Sequence, residues 1–191
     1  MKIFIGGART QKDIDTAVKK RILNIVDGGY TILVGDCYGI DASVQSFLKS
    51  MNYSNVCVYA SNGKARNNLG KWEIKSINVP PSAKGFDFYV QKDKAMAKDA
   101  DFGLMVWDGK SKGTLNNMIN LLLQEKSVLL YLVGKHKMIT LKTMDDLEKI
   151  IISLGTATTK LFYSLLPKDN VRENAVGNIL FAPTEQIRMP I

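Results

Sequence analysis

Asp93-Lys-Ala-Met-Ala-Lys-Asp-Ala-Asp-Phe-Gly-Leu-Met-Val-Trp-Asp-Gly-Lys-Ser-Lys-Gly-Thr114 decides the fold. A run with helical spacing, carrying Asp93 and Met96, leads into an apolar strand over residues 102–107. The strand opens into a loop containing Gly109, Ser111 and Gly113, and a new helix is expected from about Thr114. A buried strand that ends in small residues at a helix N-terminus makes an anion site. Unpaired backbone N–H groups and the positive end of the helix dipole converge there, and glycines let a phosphate come close to the main chain.

The same strand–loop–helix unit recurs toward the N-terminus. Residues 2–5 read as a strand ending in Gly6-Gly7, and residues 11–27 as an amphipathic helix with Ile14, Val18, Ile22 and Ile25 at three- and four-residue spacing. A second strand over 30–34 runs into Gly35-Asp36-Cys37-Tyr38-Gly39, followed by a helix over 41–51 and a third strand over 56–60. Residues 61–84, with Gly63, Gly70, Pro80 and Pro81, lack clean periodicity. Helical spacing resumes over 85–100, and a helix over 114–125, strands over 128–133 and 138–141, and helices over 143–154 and 156–166 follow. Strands alternating with helices predict an α/β fold, a Rossmann-like three-layer sandwich on a mainly parallel sheet. Residues 1–154 form that domain, and residues 155–191 are a C-terminal extension of one helix and an extended tail. The apolar residues Ile179, Leu180, Phe181, Ile187 and Met189 suit that tail to docking on the body or on a second subunit.

Bulk properties narrow the partners. The 191 residues are 46% hydrophobic and 23% charged, as in an ordinary soluble domain. No apolar run approaches a membrane span and the N-terminus lacks a signal-peptide pattern, so a cytoplasmic location without membrane contact is expected. Cys37 and Cys57 form neither a metal spacing nor a disulfide framework, and no metal or cofactor is predicted. The net charge of +8 permits anionic ligands. Lys92, Lys94 and Lys98 alternate with Asp93 and Asp99, which reads as a solvated face, and nucleic acid is a poor candidate partner because no dense basic or basic–aromatic run occurs.

Four constellations carry chemistry. In the first, Gly6 and Gly7 allow a tight turn that presents Arg9 to a phosphate or carboxylate. In the second, Gly35 precedes Asp36, placed to hold sugar hydroxyls or to act as a general acid or base, while Asp41 suits a helix N-cap or a ligand contact. In the third, the irregular segment offers Arg66 to a phosphate and Trp72 as a lid over a base, with Glu73 beside it. In the fourth, Trp107, Asp108, Gly109, Ser111, Gly113 and Thr114 form the anion cradle, with Asn116 and Asn117 in the first turn behind it. Met96 and Met105 read as core, and His136, between lysines, as exposed.

Together, Gly6-Gly7-Ala8-Arg9, the turn from Gly35 to Asp41, and the stretch from Ala100-Asp101 through Asp108 to Gly113-Thr114 resemble the SLOG superfamily. That Rossmann-like group includes the LOG-type phosphoribohydrolases and the DNA-processing protein A fold. The resemblance covers residues 1–135 and implies a pocket for a nucleotide or ribose-phosphate, with homodimerisation a further expectation. LOG-type hydrolases carry Pro-Gly-Gly-x-Gly-Thr-x-x-Glu. Here no Pro-Gly-Gly precedes Gly113-Thr114, the stretch after Asp108 reading Gly109-Lys110-Ser111, and Asn117 stands where the catalytic glutamate would fall. A neutral amide cannot serve as a carboxylate base or nucleophile. The expectation is therefore a binding or sensing protein. Hydrolysis of the N-glycosidic bond of nucleoside monophosphates is the alternative, and it would recruit Asp36, Asp93 or Glu73.

Overall fold

The computed structural model describes residues 1–167. The chain is an α/β Rossmann-like sandwich. In chain order its elements are β1 (Lys2–Gly7), α1 (Thr16–Asp27), β2 (Thr31–Gly35), α2 (Ile40–Ser50), β3 (Val56–Ser61) and β4 (Glu73–Ile77). They continue with α3 (Phe86–Asp99), β5 (Phe102–Trp107), α4 (Lys112–Leu122), β6 (Val128–Leu132), β7 (Lys137–Leu141), α5 (Met144–Ser153) and α6 (Thr156–Leu165). The sheet order is β4-β3-β2-β1-β5-β6-β7, parallel except for β7, which pairs antiparallel with β6. Strand order reverses direction between β1 and β5, the kind of place where open α/β sheets bind ligands beyond their strand ends.

Each face of the sheet buries its own apolar cluster. One joins Phe4, Leu33, Met105 and Trp107 to Met96 of α3, Leu115 and Met118 of α4, and Phe162 of α6. The other joins Ile3, Ile5, Ile32, Val34 and Val106 to Val18 and Ile22 of α1 and Val44 and Leu48 of α2. Central strands buried on both sides explain why β1, β2 and β5 read as continuous apolar runs. Met96 and Met105 are core residues, as their setting predicted. Among the described residues no helix is long and apolar enough to cross a membrane.

The structure adds to the sequence reading at three places. Strand β4 lies within the segment that lacked periodicity. It is an edge strand with most residues exposed, so backbone pairing to β3 rather than an apolar pattern holds it. Helix α1 begins at Thr16 rather than near Gln11, because the Asp15 side chain accepts from the Ala17 N–H and caps it there. Helix α6 is tied to the main core through Phe162. The apolar residues from Ile179 to Met189 lie outside the described residues.

Candidate functional site

Three strand-end turns lock together at the carboxyl edge of the sheet. The Ala8 N–H donates to the Val106 carbonyl (3.1 Å), and the Ala8 carbonyl accepts from the N–H of Ile40 (3.3 Å). Closeness explains the glycines. A Cβ on Gly7 would stand 2.5 Å from the Val106 carbonyl oxygen, and one on Gly39 would collide with the Arg9 backbone. Gly39 also sits at φ 78°, where side chains are disfavoured. In the third turn the Asp108 carboxylate accepts from the N–H groups of Lys110 (2.9 Å) and Ser111 (2.7 Å) and from the Thr10 hydroxyl (3.2 Å). The Trp107 indole N–H donates to the Ser111 carbonyl (3.1 Å).

Between these turns and α3 lies a cavity of about 610 Å³. Gly7, Arg9 and Thr10 line it from the first turn, Cys37 and Asp41 from the second, and the segment from Lys110 to Thr114, with Asp108 and Asn117, from the third. Helix α3 contributes Phe86, Tyr89, Lys92, Asp93 and Met96, spaced to share one helix face. The N-termini of α3 and α4 both border the cavity, and neither is capped by a side chain. Helix starts of this kind direct orphan N–H groups and positive dipole ends outward. Arg9, Lys110 and Lys112 make no ion pair among the described residues. Arg9 instead lies 4.6 Å from the Tyr89 ring centre, and the Lys112 ammonium 4.1 Å from that of Phe86.

Below this exposed, cationic mouth is a buried charge cluster. The Lys92 ammonium, 2% exposed, lies 2.9 Å from Asp93 and 3.8 Å from Asp36. Gly35 makes room for it, because a Cβ there would meet both the Asp41 carboxylate and the Lys92 ammonium. Burial disfavours the charge on Lys92, but the Asp93 and Asp41 carboxylates outweigh it and hold the pKa above the ordinary value. Burial pushes Asp41 up to about 6, against the pull of Lys92 and with the push of Asp93. Asp36 goes the other way. Burial raises it, but hydrogen bonds from the Arg66 side chain and backbone N–H win and hold it below the usual carboxylate value. Burial raises the Cys37 thiol.

These opposite shifts predict a stability optimum in mildly acid solution. A raised folded pKa means that Asp41 binds its proton more tightly in the fold, so its contribution falls as pH rises from about 4 through 6. The Asp36 contribution is present above the ordinary carboxylate value and is lost at lower pH. Asp41→Asn is therefore expected to raise stability at pH 8 by roughly 2–3 kcal/mol, with the gain shrinking toward pH 4. Thermal melts of both proteins across that range check the sign. A gain that grows toward acid would contradict it.

Of the residues predicted to form the site, Gly7, Arg9, Asp41, Asp93, Ser111, Gly113, Thr114 and Asn117 line this one cavity. The remainder lie elsewhere, for identifiable reasons. Asp36 is held by Arg66, whose Nε and Nη2 donate to its two oxygens at 3.0 and 2.7 Å and whose backbone N–H donates at 3.0 Å. Both side chains are thus committed to fastening the 62–72 segment to the end of β2. Buried Gln45 fastens the same segment by donating to the Gly35 and Asn67 carbonyls and accepting from the Leu69 N–H. Trp72 and Glu73 stand at the opposite, amino edge of the sheet. The Trp72 indole donates to the Tyr53 carbonyl (2.8 Å), and Glu73 pairs with Cys57 near the start of β3. Neither is a lid or a catalytic group for this cavity. Trp107 is fully buried, and Gly6 and Gly35 are buried in strands. Gly109 is a turn residue at φ 81°. Asp41 is not an N-cap, since Gly39 occupies that position and Asp41 accepts from the Cys37 N–H (3.2 Å).

Sequence reasoning missed Phe86, Tyr89, Lys92, Lys110 and Lys112 as cavity residues. Lys92 belongs to no solvated face. Its neighbours in sequence gave no sign of burial, but the spacing of 86, 89, 93 and 96 did mark one side of a helix. Fold and site together define a Rossmann-like α/β protein with an open cavity, lined by both apolar and charged side chains, at the carboxyl edge of its sheet. No protein-family model matches the chain, and a search of curated proteins finds no match.

Proposed function

We propose that the chain is a SLOG-type domain that binds a nucleotide or nucleotide-derived ribose-phosphate in this cavity, as a sensor or ligand-binding protein. The observation that carries this reading is the coincidence of the uncapped α4 N-terminus with three cations, Arg9, Lys110 and Lys112, that make no ion pair among the described residues, around one opening. Phosphate suits such a place because it accepts several hydrogen bonds and complements the helix dipole. The cavity volume falls in the range of small-molecule sites. The turns at Gly7 and Gly39 and the turn from Asp108 to Ser111 that leads into Gly113, which carry the SLOG resemblance, support the same reading. No cofactor is required by it.

Hydrolysis of an N-glycosidic bond is the second reading. It is favoured by two carboxylates, Asp41 and Asp93, lining the cavity, one of them pushed up to about 6 and so suited to hold a proton near neutrality. It is weakened by Asn117 at the position of the family's glutamate. One experiment separates the two. The purified protein is incubated with a panel of nucleoside monophosphates, and bound and free species are identified by mass spectrometry. The binding reading expects a nucleotide recovered intact. Released base would favour the hydrolase, and the absence of both bound nucleotide and released base would contradict both readings.

A further inference from the structure

The cavity is polarised along α3, and this carries an inference that rests on the phosphate-binding reading above. From mouth to floor the helix presents Phe86, Tyr89, Asp93 and Met96. At 1.5 Å per residue, Asp93 lies about 10 Å below Phe86. Lys112 stacks on Phe86 and Arg9 on Tyr89, so the unpaired cations occupy the outer levels. Asp93 is at the level of Lys92 and Asp41, where exposure is low: 8% for Asp41 and 14% for the Asp93 side chain. Asn117, 6% exposed, lines the same cavity.

This inner region holds acceptors that lack donors. One oxygen of Asp41 takes the Cys37 N–H and one oxygen of Asp93 takes the Lys92 ammonium. The second oxygen of each has no hydrogen-bond partner among the described residues, and the Asn117 carboxamide oxygen is buried without one. The buried Asn117 oxygen is costly to leave unmet, and the free oxygens of Asp41 and Asp93 belong to residues that line the same cavity from two other helices. A ligand entering here must bring donors. A divalent cation is a poor candidate, because the Lys92 ammonium already stands among these carboxylates, and no group of three metal-binding side chains occurs among the described residues. An amine would add a second cation beside Lys92. A hydroxyl donates without adding charge, and it can also accept, which suits either protonation state of Asp41.

We infer that the buried end of the cavity reads sugar hydroxyls, with the ligand seated sugar-inward, its phosphate at the Arg9–Lys112 mouth and its vicinal diol on Asp93 and Asp41. The pocket therefore discriminates ribose from 2-deoxyribose. Neither Asp36 nor any residue of the 62–72 segment takes part.

The test is calorimetric titration of the full chain with inorganic phosphate, ribose 5-phosphate and 2-deoxyribose 5-phosphate. Ribose 5-phosphate is expected to bind about tenfold or more tightly than either of the others. Asp93→Ala should bring the ribose and deoxyribose affinities together while leaving that for inorganic phosphate within about twofold. The comparison on the unaltered protein stands even if the variant folds poorly. A ribose preference below about threefold, with binding still weakened about tenfold or more in Lys112→Ala, overturns the hydroxyl assignment and leaves the phosphate site standing. Failure of all three compounds to bind at millimolar concentration overturns both.

Discussion

Asp36→Ala is expected to lower the unfolding free energy by about 3 kcal/mol, toward the lower end of what breaking a buried ion pair costs. The carboxylate is 3% exposed and accepts three hydrogen bonds from Arg66 alone. Its loss leaves the Arg66 guanidinium without its carboxylate, removes a counter-charge from buried Lys92, and cuts the Arg66 ties between the 62–72 segment and the end of β2, leaving the Asn67 and Gln45 contacts to hold it. The Arg66 side chain is one-third exposed, so water recovers part of the penalty, which is why the lower end applies. Urea denaturation at pH 7 measures the change. Because Asp36 stands outside the cavity, the folded variant should keep most of its ligand affinity. A variant of unchanged stability but abolished binding would reverse the roles assigned here to Asp36 and to the mouth.

Arg9→Ala and Lys112→Ala are expected to show the opposite pattern. Both side chains are exposed and make no ion pair among the described residues, so each should change stability by no more than about 0.5–1 kcal/mol, the Arg9 contact with Tyr89 included. Each should weaken binding of a phosphorylated ligand by about 10–100-fold, the worth of one charge-assisted hydrogen bond. If both reach the same phosphate, the double variant will lose less than the product of the two. Affinity in the unaltered protein should also fall with added salt. Equilibrium titration beside thermal melts resolves the pattern, and equal losses of stability and affinity would argue against a ligand-facing role.

Much of this was legible in the chain because the central strands are buried on both faces. Their apolar runs, punctuated by Gly6-Gly7, Gly35 and Gly109, mark where each strand ends, and the rules of parallel sheets bring those ends to one edge. The convergence of Gly7, Arg9, Asp41 and Ser111 follows from that topology. Strand β4 was illegible because an exposed edge strand needs only backbone pairing, which leaves no periodic trace. Asp36 misled for a related reason. A carboxylate at a strand end looks the same in sequence whether it meets a ligand or an arginine thirty residues on. Trp72 misled because its distance from the site depends on the path of the 62–72 segment, which runs from the carboxyl to the amino edge of the sheet without a helix to announce it. Lys92 shows the limit of local charge patterning, since an alternating run of lysine and aspartate is solvated or buried according to what packs above it.

The central claim is that a phosphate sits at the α4 N-terminus between Arg9 and Lys112. Amide NMR of the isotopically labelled chain, titrated with ribose 5-phosphate, tests it most directly. Saturable shifts are expected to be largest at the backbone N–H groups of Lys112, Gly113 and Thr114 and the neighbouring amide of Arg9, with little change at Trp72 and Glu73 on the far edge. Shifts centred on the 62–72 segment, or none at all, would contradict it.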